Sequence, residues 1–247
     1  TITAESYVVL FSTADSTNNT ANIAGTISAT NSVYGYATDS TVLTSSVEFA
    51  ELLNADGYAV EVISGLYTVV GYAVANVNGK GYVTFDKAYA AANAGDTIVL
   101  LADLQSSNIL VIDKAITFDG NGHTLTSTAA RAINVSGANG ATIKNLTINA
   151  SGERAINVIQ GATNVTIENV TATASNYAVN VASSAPNAVI TIKDSDLTGL
   201  NTVNVAGVNT TVTIDNSTIT TNDTNPAENY GAITLNYTGK GSTVTAI

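Results

Sequence analysis

The sequence predicts an all-β fold: a parallel β-helix solenoid of about five or six coils. Three observations lead there. Four phrases end alike (RAINV from Arg131, RAINV from Arg154, YAVNV from Tyr177 and NTVNV from Asn201), with starts 23, 23 and 24 residues apart. Ahead of them runs a second series: ITFDGNGHTL, ATIKNLTI, NVTIENVTA, VITIKDSDL and TVTIDNSTI. It sets Phe118, Ile143, Ile167, Ile192 and Ile214 at equivalent points, 25, 24, 25 and 22 residues apart. Within that series Gly120, Asn145, Asn169 and Asn216, with Asp194 once, hold one position. Asn and Gly tolerate left-handed backbone, so a coil can turn there without strain.

Each element follows from its own pattern. TITAESYVVLF at the start is β-prone, and STADSTNNTANIAGTISATNS after it is polar, small and linker-like. Residues 1–37 are therefore expected to hold a β segment and a linker. Residues 38–80 are expected to form a small α+β module. In VEFAELLNADGYAVEVISGLYTV, Val47, Ala50 and Leu53 share a helical face, Asp56-Gly57 stops the helix, and strand, turn and strand follow. The β-helix is assigned to 81–247, opened by a capping helix over 85–94 that buries Phe85, Ala88, Tyr89 and Ala92. TIVLL then begins an apolar strand. In ATIKNLTI, Ile143, Leu146 and Ile148 alternate with polar residues around a corner at Lys144-Asn145. In AINV, Ile133 and Val135 face one way, Ala132 and Asn134 the other. Stacked coils add one strand layer, about 4.8 Å, per repeat, so residues one period apart lie on top of one another. A leucine-rich repeat has a similar period, but its asparagine-leucine pattern is missing.

One stretch resembles a known family. VANVNGKGYVTFDKAYAAANAGDTIVLLAD, followed by ILVIDKAITFDGNGHTL, is similar to the entry of parallel β-helix domains of the pectate-lyase-like superfamily found in bacterial surface proteins. The resemblance runs from about Val74 to Ile247 and implies a right-handed solenoid with a helix over its first coil. It implies little about activity, because that superfamily includes enzymes, adhesins and phage proteins.

Composition points outside the cell. There is no Cys, Met or Trp, and no apolar run long enough to span a membrane. A start at Thr1 without a basic, apolar leader predicts a secreted form whose signal peptide has been removed. Eight Lys plus Arg against 19 Asp plus Glu give a net charge of −11, which disfavours nucleic acid and anionic membranes as partners. Ten Asn-X-Ser/Thr sequons occur, at Asn18, Asn134, Asn145, Asn149, Asn164, Asn169, Asn209, Asn216, Asn222 and Asn236. Several fall in corners, where Asn serves the turn.

Candidate catalytic groups are sparse, and no enzyme, cofactor or metal site is expected. The β-helix lyases that the family includes use a cationic base near Ca²⁺-binding acids; here the cations are Arg131, Arg154, Lys144 and Lys193. Arg131 and Arg154 occupy one repeat position and are expected to stack as an outer ladder, with Arg154 over the Tyr177 ring. Asp194, Asp196, Glu168 and Asp215 could supply the two carboxylates of an inverting glycosidase, but that family's hydrolase motifs are absent. Asp194-Ser195-Asp196 offers oxygen ligands for Ca²⁺ without the usual calcium-binding repeat. The single histidine, His123, reads as an exposed turn residue without an acidic partner.

Two functional classes remain. The first is a non-enzymatic extracellular subunit of a filament, pilus, fibre or layer, a head-to-tail homopolymer. Its N-terminal strand (Ile2, Ala4, Tyr7, Val9) would insert beside the last coil of a neighbour (Ile233, Leu235, Val244). The second is a surface adhesin or carbohydrate-binding module that contacts glycans through its stacked polar face or through Tyr34, Tyr36, Tyr58, Tyr67 and Tyr72.

Overall fold

A computed structural model describes residues 2–4, 7–10, 20–23, 27–29, 32–35, 41–44, 47–224 and 230–247, with side chains for 47, 50–224 and 230–247. Asn18 and Tyr36 lie outside the described residues, as do the side chains of Ile2, Ala4, Tyr7, Val9 and Tyr34. The chain divides into two compact units, 1–91 and 92–247.

In the first unit, the segment read as a linker contains strands. Ile2–Ala4 pairs in parallel with Ile27–Ala29, Tyr7–Leu10 with Ser32–Gly35, and Thr20–Ile23 with Thr41–Thr44. The first two pairings join residues 25 apart (Ile2 to Ile27, Tyr7 to Ser32), and the third joins Thr20 to Thr41. Small polar residues do not preclude strands when a parallel neighbour supplies the hydrogen bonds, which is why composition alone misread this stretch. Helix α1 (Val47–Ala55) buries Ala50 and Leu53, but Val47 at its start is 50% exposed rather than packed. Gly57, at φ 89°, ends that turn, its N–H donating to the Asn54 carbonyl. Tyr58–Ile63 and Leu66–Tyr72 then pair antiparallel around Ser64-Gly65, whose positive φ values suit a two-residue hairpin turn. Helix α2 (Phe85–Ala91) is capped by the Thr84 hydroxyl, which accepts from Lys87 N–H at 3.2 Å. It ends three residues before the expected 94, and Asn93 N–H turns instead to the Asp96 carboxylate at 2.8 Å.

The second unit is a parallel solenoid, as the repeat predicts. The first sheet stacks Thr97–Leu100, Thr117–Asp119, the start of Thr142–Ala150, the start of Val165–Thr173, Val189–Lys193, Thr211–Asp215 and Thr243–Ala246. Phe118, Ile143, Ile167, Ile192 and Ile214 are in register there and buried. Past the corner the same sheet continues, through Thr142–Ala150 and Val165–Thr173, as a second face, called the second sheet below, from Leu104–Ser106 to Thr218–Thr221. A third sheet of six strands carries the AINV phrases, from Leu110–Ile112 to Ile233–Leu235. Its six strands match the expected coil number.

The corners are as the Asn pattern predicts, with one exception. Asn145, Asn169, Asp194 and Asn216 have φ between 44° and 51°. In the second coil the left-handed residues are Asn121 and Gly122, not Gly120. Asp119 and Thr124 flank four residues where Lys144 and Thr147 flank two, because this corner is longer. Gly120 instead meets the next coil: a Cβ there would lie 2.5 Å from the Asn145 carbonyl oxygen.

Interior packing is a set of apolar columns with amide ladders through them. Ile133, Ile156, Val179 and Val203 stack in register, each fully buried. Beside them Asn157 donates to Asn134 Oδ1 at 2.9 Å, Asn180 to Asn157 at 2.7 Å and Asn204 to Asn180 at 2.7 Å. Asn157, Asn180 and Asn204 are 2–4% exposed, so the polar side of AINV is buried as well. An amide can both donate and accept, so each Asn satisfies its neighbours and the ladder can run through a dry interior.

Candidate functional site

The second sheet has apolar residues inside and hydrogen-bonding residues outside. Leu125, Ile148, Ala172 and Leu197 are buried. Between them, two outward positions per strand carry Thr124 and Thr126, Thr147 and Asn149, Thr171 and Thr173, Asp196 and Thr198, then Thr218 and Thr220, all in register. Two open depressions flank these columns. One, of about 380 Å³, is lined by Asn121, Gly122, Asn145, Leu146, Thr147, Asn169 and Thr171. The other, of about 320 Å³, is lined by Thr126, Ser127, Thr128, Asn149, Ala150, Ser151 and Thr173. Their side chains are hydroxyls, amides and short aliphatics, so the face can exchange hydrogen bonds with a neutral, hydroxylated ligand.

The expected carboxylate cluster is divided between elements. Asp119, Lys144, Glu168, Lys193 and Asp215 share one column of the first sheet with alternating sign. Lys144 lies 3.3 Å from Asp119, and Lys193 lies 2.8 Å from Glu168. Burial opposes ionisation of Asp119, but hydrogen bonds from Asn145, Asn121 and Lys144 outweigh it and hold the carboxyl below the usual range. Glu168 raises Lys193, with Asp194 and Asp215 adding to it. Asp194 stands in the corner, accepting from Asn216 at 2.7 Å, and Asp196 lies beyond it on the second sheet. No group of three or more His, Cys, Asp and Glu that could hold a metal ion occurs among the described residues.

His123 does have an acidic partner. Leu104 pairs with Leu125, which brings Asp103 level with Thr124, and Asp103 Oδ1 lies 3.3 Å from His123 Nδ1. The Thr124 N–H donates to the same oxygen at 2.9 Å and, with His123, holds the Asp103 carboxyl below its ordinary range. Residues 103 and 123 lie in unlike phrases, and only the register across the long corner at 120–123 relates them.

Arg131, Arg154 and Tyr177 stack on consecutive coils as expected, with the Arg154 guanidinium 5.4 Å from the Tyr177 ring centroid. Among the sequons, Asn145, Asn164, Asn169, Asn209 and Asn216 have positive φ and donate their side-chain amides to the preceding coil. Of the tyrosines, Tyr58 is buried and stacks at 5.0 Å on Tyr72, which is 66% exposed, while Tyr67 is half-buried. Ile233 and Leu235 continue the inward columns of Val203 and Val205 yet are 41% and 53% exposed; Val244 is half-buried.

Residues 75–179 match a family described as "Putative pectate lyase-like adhesive domain". The parallel solenoid is consistent with a β-helix domain of this kind, and the description is of an adhesive rather than a catalytic domain. Neither a curated protein nor a solved structure matches the chain. No helix among the described residues is long and apolar enough to cross a membrane.

Proposed function

We propose that this chain is a non-catalytic adhesion module of a cell surface, whose β-helix holds a hydroxyl- and amide-lined face against glycans. The observation that carries this reading is the second sheet, where hydroxyl and amide groups, with Asp196 as the one carboxylate, repeat coil after coil beside two open depressions. The adhesive description of the matching family supports it. On such a face many weak contacts add along a rigid support, and a multivalent ligand gains avidity without any deep pocket. The test is retention of the full chain on immobilised neutral polysaccharides. Binding is expected to fall about tenfold or more in Thr147→Leu/Thr171→Leu, the loss of one or two hydrogen bonds to ligand. A wild-type chain that is retained on none of them overturns the reading.

A second reading is head-to-tail self-assembly through the N-terminal strand. Two observations favour it: the 25-residue parallel pairing of Ile2–Ala4 and Tyr7–Leu10, and the exposed Ile233 and Leu235 in the core columns. The first means that the described strands Ile2–Ala4, Tyr7–Leu10, Ile27–Ala29 and Ser32–Gly35 pair as coils do and could stack on another coil. The second is apolar surface in the place where such a coil would sit.

A further inference from the structure

We propose that Arg131 and Arg154, in register on adjacent coils, form a subsite for one oxyanion at a glycan terminus, the carboxylate of a sugar acid or a sulfate ester. This deepens the adhesive reading and rests on it, but it concerns the third sheet and not the polar face of the second.

The two arginines sit opposite each other on adjacent coils, one strand layer apart. Like charges placed directly opposite are unfavourable unless something lies between or beside them. The chain offers Arg154 such company and withholds it from Arg131. Arg154 leans over Tyr177 and lies 3.6 Å from Glu153 Oε2, while its Nε is buried without an acceptor. Arg131 is half-buried and its side chain has no hydrogen-bond or ion-pair partner among the described residues. By contrast Lys87, Lys144 and Lys193 each have a carboxylate within 3.3 Å. With 19 acidic residues for eight basic ones, acids are in excess, yet none among the described residues is placed on Arg131. A guanidinium presents five donors in a planar fork that matches a carboxylate or sulfate.

Charge limits the occupant to a single anionic group. A net charge of −11 repels a polyanion over its whole length. At physiological salt, charges beyond about 8 Å are screened, so the local pair decides for a ligand that carries one charge. A glycan ending in one acidic sugar fits that limit.

The experiment is calorimetric titration of the full chain with sialyllactose, sulfated lactose and lactose at physiological salt. Sialyllactose is expected to bind about tenfold or more tightly than lactose, the gain from one charge-assisted pair. Arg131→Gln should abolish that preference, and Glu153→Gln, which frees Arg154, should increase it, with circular dichroism and melting temperature unchanged in both. A preference shared by sulfated lactose supports a site that reads charge; one confined to sialyllactose supports a site that reads the planar carboxylate. Equal binding of lactose and sialyllactose overturns the proposal, as does a preference that survives Arg131→Gln/Arg154→Gln. Retention on neutral polysaccharide without any acidic preference leaves the adhesive reading standing and removes only this subsite. Sialyllactose binding without neutral retention keeps this subsite and removes only the role of the second sheet's polar face.

Discussion

Asn157 shows how single residues hold this solenoid together. Its amide donates to Asn134 and accepts from Asn180, both one coil away, in a site that is 2% exposed. An apolar replacement removes both bonds and leaves the Asn180 amide buried without an acceptor. Asn157→Ala is expected to cost about 1–3 kcal/mol for the unsatisfied group, measured as a lower urea midpoint with an unchanged m-value. Asn149 has the same side chain but lies exposed on the outer face, so Asn149→Ala should change stability by less than about 0.5 kcal/mol. This contrast was not legible in the sequence, where both residues lie in short β phrases of the same kind. AINV alternates as a half-buried strand does; only the stacked register shows that its polar side is enclosed too.

At the level of the element, the charged column of the first sheet makes a pH-dependent contribution. Asp119 is the member whose carboxyl is held low by Asn145, Asn121 and Lys144. A depressed carboxyl stabilises the fold at pH values above its unfolded value, about 3.9 for Asp, and that stability is lost as pH falls through the folded value. The melting temperature is therefore expected to hold from neutral pH to about pH 4 and to drop below it. Asp119→Asn should melt lower at neutral pH and show a shallower acid limb; parallel acid limbs in both proteins would contradict the assignment. Sequence reading found these strands easily, since five phrases repeat the same apolar spacing and the same corner. It missed the Asp103–His123 pair because the corner at 120–123 is two residues longer than the next and shifts the phrase past its neighbours.

For the whole molecule, the first unit is the part least legible in advance. ITA at Ile2 recurs as ISA at Ile27, and this weak echo was the available signal for the paired strands that the structure places there. Two copies with small side chains do not stand out against a polar background, whereas five copies with large apolar residues do. If the N-terminal strands mediate assembly, deleting residues 1–12 should leave the 92–247 solenoid folded by circular dichroism and abolish filaments in negative stain. Filaments that persist in the truncated chain would remove that reading and leave adhesion as the sole proposed role.

The alternation from Asp119 through Lys144, Glu168 and Lys193 to Asp215 also sets a parity that a miscounted stack of coils would break. In a solenoid of near-identical coils the ready error is to omit one and close over the gap. Leaving out a single coil would bring Lys144 against Lys193, or Glu168 against Asp215, so the mistake announces itself as repulsion. Leaving out two restores opposite signs but must loop out twice as much chain. A column that contributes modestly to the finished fold can thus reject its nearest miscounted rivals.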